Sequence, residues 1–131
     1  MLHINTTPAQ RRESFRAALK SGKLQRFAGA FSPFAAMLLE QQGFEGIYIP
    51  GASLANELGL PDVALTTLTE VSQRGYQIVQ QTNLPTIIDV DTGFGEPQSA
   101  YRTVREMESL GLCCIHIEDQ QEPKRCGHLD N

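Results

Sequence analysis

The chain has 131 residues, of which 40% are hydrophobic and 20% charged, and a formal net charge of −4. That length predicts a single domain, residues 1–131, with enough apolar side chains for a core. The mild negative charge and the lack of a basic stripe exclude nucleic acid as the expected partner, and no run nears the ~18 apolar residues of a membrane span.

The start, MLHINTTPAQRRES, has no apolar signal region, so a cytoplasmic protein without membrane contact is expected. There are three cysteines. Cys113 and Cys114 are adjacent in an apolar run, and neighbours on a strand point to opposite faces, which makes them poor disulfide partners. An odd count without framework spacing fits a reducing compartment.

Thr7-Pro8 reads as the N-cap and first position of a helix running to about Ser21, with Gly22 beyond it. RFAGAF (26–31) is a short apolar run. Ser32-Pro33 opens a second helix that carries Ala36, Met37 and Leu38 and stops at Gly43. GIYIP (46–50) reads as a strand and 51–66 as a loop. Thr67 and Glu70 form a capping-box pattern ahead of Leu68, Val71, Gly75, Ile78, Val79 and Thr82 at helical spacing. PTIIDVD (85–91) is a strand. Glu96-Pro97 opens a helix with Ala100, Val104, Met107 and Leu110 on one face and Gly111 as its cap. CCIHIED (113–119) is the fourth strand.

The order is a helix, then βα, βα, βα, β. Such alternation implies an α/β fold with a parallel sheet and helical crossovers. An open doubly wound sheet and a (β/α)₈ barrel both fit. Period-two alternation places Tyr48 with Pro50, Asp89 with Asp91, and Cys114 with His116 and Glu118, each set facing away from the isoleucines. Polar groups collected at C-terminal strand ends favour the barrel, where active sites are built. A full barrel takes eight strands and ~250 residues. Four strands make about half of one.

DVDTGFGE (89–96) carries two carboxylates on one predicted face. Their mutual repulsion favours a cation between them, and hard oxygen donors suit Mg²⁺ or Mn²⁺. Glu118, at the end of the next strand, is a third oxygen donor. His116 is a candidate base, or a histidine bonded to a neighbouring strand. Tyr48 is a candidate hydrogen-bond donor or acid/base, or a buried aromatic with a satisfied hydroxyl. Asp62, in LGLPD, reads as a turn or cap residue. Cys126 lies in PKRCGHLDN (123–131), a charged run without apolar period. Lys124, Arg125 and His128 beside it would favour its thiolate.

LGLPD (58–62), DVDTGFGE (89–96), HIEDQ (116–120) and KRCGH (124–128), in this order and spacing, resemble the isocitrate lyase/phosphoenolpyruvate mutase superfamily. The likeness is nearest to its 2-methylisocitrate lyases and covers nearly the whole chain. KRCGH discriminates most: members that break carbon–carbon bonds carry this cysteine loop, and those acting on phosphonates lack it. The resemblance implies a (β/α)₈ TIM barrel, here about its first four strands, from an enzyme that is commonly a homotetramer. It implies cleavage of a tricarboxylate, 2-methylisocitrate, to pyruvate and succinate in propionate breakdown by the methylcitrate cycle. Asp89 matches the direct Mg²⁺ ligand, and Asp91 and Glu118 match residues holding metal-bound water. Cys126 matches a general acid on a mobile loop, and Tyr48 a site tyrosine.

Pro50, Gly51, Ala52, Asp62, Arg125, Gly127 and His128 match substrate-side positions. The chain departs from the pattern at Pro50, where a serine is usual, since proline offers neither hydroxyl nor N–H. The alternatives are a 2,3-dimethylmalate or other 2-hydroxy-acid lyase, or a catalytically incompetent half-barrel that acts only by association through its unpaired sheet edges.

Overall fold

The computed structural model describes residues 4–129; the final Asp130 and Asn131 of the cysteine-bearing run lie outside them. Helix α1 (Pro8–Lys20) precedes β1 (Phe27–Gly29), α2 (Pro33–Gln41), β2 (Gly46–Ile49), α3 (Gly51–Glu57), α4 (Leu68–Val79), β3 (Thr86–Asp89), α5 (Pro97–Leu110) and β4 (Cys114–His116). The strands form one parallel sheet in the order β1-β2-β3-β4. Every pair of adjacent strands is therefore joined by a helical crossover, the connection parallel pairing requires.

Local chemistry sets the element ends. Thr7 caps α1 and Thr67 caps α4, each in a complete capping box with the Gln or Glu three residues on. Gly111 ends α5 at φ 97°, a left-handed conformation that only glycine adopts without strain. The stretch 51–66, expected as a loop, opens instead with α3. Pro50, fixed near helical φ, serves as its N-cap, and Ala, Leu and Glu behind it are good helix formers.

One sheet face is the core. Register places Ile47 beside Thr86, and Ile88 between Ile49 and Ile115. Ile47, Ile49, Ile88 and Val90 are fully buried there, with Val71 and Ile78 of α4 and Met107 of α5 in the same cluster. Gly75 lets α4 approach the sheet, since a Cβ there would stand 2.7 Å from Ile88 Cδ1. On α5 the buried face differs from the expected one by a residue: Thr103 is fully buried and Val104 is 42% exposed. The Thr103 hydroxyl donates to Gly93 O at 3.0 Å, so its burial serves the turn after β3.

Helix α1 fastens the other end of the layer. Arg11, buried, donates from Nη1 to Thr82 O at 2.9 Å and Val79 O at 3.4 Å, answering carbonyls left open where α4 ends. Arg12 does the same at the end of α5, through Leu112 O at 3.3 Å and Glu108 O at 3.4 Å. Among the described residues no helix is long and apolar enough to cross a membrane.

Ile88 sits at the centre of the sheet-helix core. Ile88→Ala is expected to lower stability by about 2–5 kcal/mol in denaturant unfolding of this chain; a loss under about 1 kcal/mol would show that the face is not a packed core.

Candidate functional site

The opposite sheet face carries the polar groups. Tyr48 on β2 lies beside Ile87 of β3, which lies beside Cys114 of β4; one step further, Asp89 lies beside His116. The alternation expected for Tyr48, Asp89 and His116 holds. It stops sooner than expected, because β3 ends at Asp89 and β4 at His116. Ile117, assigned to the buried face, is accordingly 45% exposed.

Asp91 is a correction. It does not share a strand face with Asp89. It sits in the turn at φ 48°, a left-handed conformation that aspartate tolerates better than most side chains. Its N–H donates to Asp89 Oδ1 at 3.1 Å, closing a side-chain turn. Glu118 N in turn donates to Asp91 O at 2.8 Å, while the Glu118 carboxylate accepts from Gln120 Nε2 at 2.5 Å. The described residues contain no group of three His, Cys, Asp or Glu side chains placed to ligate one ion directly.

The cation beside Asp91 is an ammonium of the chain itself. Lys124 is 1% exposed, and its Nζ stands 2.6 Å from Asp62 Oδ1 and 2.7 Å from Asp91 Oδ1. The lysine had been expected to bias the Cys126 thiol; its charge is committed to these two carboxylates instead. Cys126 is joined to the same point by its backbone, donating to Asp62 O at 3.1 Å. Its Sγ stands 3.7 Å from His128 Nδ1. Arg125 is exposed, with its N–H donating to Gln120 Oε1 at 3.2 Å, and Gly127 faces open space. The segment carrying Cys126 is thus pinned to the loop before α4 and to the turn after β3.

Asp89 differs from Asp91. It is buried, and among the described residues no lysine or arginine pairs with it. Its oxygens accept two backbone N–H groups: Asp91 on Oδ1, and Gly51 on Oδ2 at 3.3 Å. Gly51 is required for this approach, because a Cβ there would come within 3.0 Å of Oδ2. The first amide of the Pro50-Gly51-Ala52 run therefore faces Asp89, while Pro50 caps α3. Burial, more than the nearby Asp91 charge, raises the Asp89 pKa above the ordinary carboxylate value. A raised pKa means that stability present at low pH is lost as pH rises through it.

The Tyr48 hydroxyl meets His116 Nδ1 at 2.9 Å. Burial first, then the charges of Asp89 and Glu118, push the Tyr48 pKa up to about 12. Two functional contributions were missed in the sequence. Lys124 was read only as a neighbour of the thiol, although two unpaired carboxylates upstream were a signal that a cation was needed. The partner of His116 was expected on a neighbouring strand; it is Tyr48 of β2, two strands away.

The fold is shared with known proteins. The phosphoenolpyruvate phosphomutase family matches residues 15–130. The chain is 55% identical over 123 residues to the Corynebacterium glutamicum protein named probable 2-methylisocitrate lyase 2, covering 94% of this chain and 40% of that one. It is 41% identical to 2,3-dimethylmalate lyase of Eubacterium barkeri, over 87% of this chain and 40% of the relative. A phosphonopyruvate hydrolase solved with oxalate and Mg²⁺ superposes with a TM-score of 0.84 at 32% identity, covering 96% of this chain and 44% of that structure. The chain belongs to the phosphoenolpyruvate phosphomutase family, within the superfamily that unites these enzymes with the isocitrate lyases. It spans about 40% of the length of the curated relatives it matches, and the structures it resembles are TIM-barrel enzymes.

The Tyr48 shift is directly measurable. Its phenol contributes stability that is full below pH 10 and lost as pH rises toward about 12. An ultraviolet alkaline titration is expected to show one late component near pH 12 that disappears in Tyr48→Phe. Its persistence in the variant would assign that component to another tyrosine.

Proposed function

We propose that this chain supplies the metal-side half of the site of a carbon–carbon lyase that cleaves 2-methylisocitrate to pyruvate and succinate. The carrying observation is a buried carboxylate, Asp89, with which no lysine or arginine among the described residues pairs, beside a thiol segment tied by Lys124 to the turn after β3. The 2-methylisocitrate lyase relatives support the substrate. The residues fit Mg²⁺: a buried, uncompensated oxygen donor next to a second carboxylate suits a hard cation that keeps waters and substrate oxygens in its shell. Asp89 would hold the ion directly, with Asp91 and Glu118 acting through bound water. When bound, the ion supplies charge stabilisation at the 2-hydroxy-acid end of the substrate.

The chain's own residues divide the remaining work. In the cleavage the substrate hydroxyl passes its proton to water, its carbon becomes the pyruvate carbonyl, and the electrons of the broken bond pass to the departing carbon. That carbon takes a proton and leaves as succinate. Cys126 donates this proton, from a segment whose closure keeps water from competing. Tyr48, held as a neutral phenol, donates a hydrogen bond to the oxygen of the reacting carbinol. Asp62 and Lys124 fix the segment, while Ala52, Arg125, Gly127 and His128 provide donors toward the substrate carboxylates. The methylcitrate cycle, a homotetramer and a cytoplasmic location belong to this reading as well. A second reading, a 2,3-dimethylmalate lyase, is favoured by Pro50, which offers no hydroxyl or N–H to a further carboxylate.

The test joins this chain to the remaining length of its relatives and follows pyruvate release from each acid. Mg²⁺-dependent release from 2-methylisocitrate is expected, with Cys126→Ser losing most turnover but keeping Mg²⁺ binding and Asp89→Asn losing both. Preference for 2,3-dimethylmalate would support the second reading; no release from either acid would refute both.

A further inference from the structure

The Tyr48–His116 contact joins β2 to β4 across β3, the strand between them. His116 is the register partner of Asp89, and Tyr48 that of Ile87, so the bond passes over the same face from which Asp89 rises. The ring centroids are 6.3 Å apart and tilted by 43°, so the Oη–Nδ1 hydrogen bond rather than ring stacking defines the pair. The backbone of His116 is itself fixed, since His116 O accepts from Val90 N at 3.0 Å. One end of the pair is therefore anchored to the strand that bears the acidic turn.

The bond has a direction. A tyrosine phenol keeps its proton at neutral pH, which makes Tyr48 the donor. Nδ1 of His116 is then the acceptor, and the ring proton belongs on Nε2. Without this partner the phenol would be free to rotate its hydroxyl and to swing its ring at the open end of the sheet.

We propose that His116 is the positioning residue of Tyr48: by accepting through Nδ1 it fixes the phenol oxygen over β3 beside Asp89, and it leaves Nε2–H as the outward donor of the pair. This rests on the lyase reading for what the positioned phenol does. It names a role for a residue that the site's carboxylate and thiol groups do not explain. Positioning affects turnover more than substrate binding, because a group displaced by about an ångström loses its aim at the reacting atom.

Long-range proton–nitrogen NMR on this chain tests the pair without reference to activity. His116 is expected in the Nε2–H tautomer with Nδ1 accepting, and Tyr48→Phe is expected to shift Nδ1 toward its solvent-exposed value. A proton on Nδ1, or nitrogen shifts indifferent to Tyr48→Phe, would overturn the proposal. In the protein joined to the remaining length of its relatives, His116→Phe is expected to lower kcat about 10- to 100-fold with KM within about 3-fold. His116→Asn, whose Oδ1 replaces the Nδ1 acceptor, should recover most of that loss. Equal kcat in wild type and His116→Phe, or no recovery with Asn, also contradicts it. An inactive joined protein that still shows the expected tautomer counts against the lyase reading and for the Tyr48–His116 pair.

Discussion

One buried ammonium organises the functional end of this half-barrel. Lys124 reaches back from the segment after β4 to Asp62, in the loop before α4, and to Asp91, in the turn after β3. Three pieces of chain distant in sequence thereby meet at one charge. Two carboxylates and one ammonium leave a net negative charge, yet each acid is held within hydrogen-bonding range. Buried ion pairs of this kind contribute more to fixing one arrangement than to net stability, and removing one partner leaves an uncompensated charge. Because Cys126 N also bonds to Asp62 O, the position of the thiol depends on that arrangement.

The same lysine separates the two aspartates of DVD. Asp91 is paired with Lys124, whereas among the described residues no lysine or arginine pairs with Asp89. A turn in which Asp91 donates its N–H to Asp89 Oδ1 makes this possible, since the left-handed residue carries its carboxylate off the strand face. Burial raises the pKa of Asp89, and burial followed by the charge of Asp89 raises that of Tyr48. An incoming cation would relieve both, which is the physical sense in which a metal-assisted reaction suits these residues.

Much of this was legible in the sequence, for identifiable reasons. Helix starts at Thr7, Ser32 and Thr67 follow from capping chemistry within four residues, so local pattern suffices. Tyr48, Asp89 and His116 on one face follow from strand alternation. What failed was what local pattern cannot carry. Strand alternation gives no warning that β3 stops at Asp89, so Asp91 was assigned to the wrong environment. Helix α3 begins directly after a proline that reads equally well as a loop. Lys124 pairs with residues 62 and 33 positions upstream, a contact only the tertiary fold creates. The family likeness pointed to Cys126 and the acids, and it gave no sign of the pairing of Lys124 with Asp91.

The central claim is that Lys124 and Asp62 act as one unit. A double-mutant cycle on this chain, with Lys124→Met, Asp62→Asn and the pair compared by denaturant unfolding, measures it most directly. A coupling of about 1.5–3 kcal/mol is predicted, as for neighbours in one buried charge network. Effects that add to within about 0.5 kcal/mol would contradict it and detach the Cys126 segment from the site described.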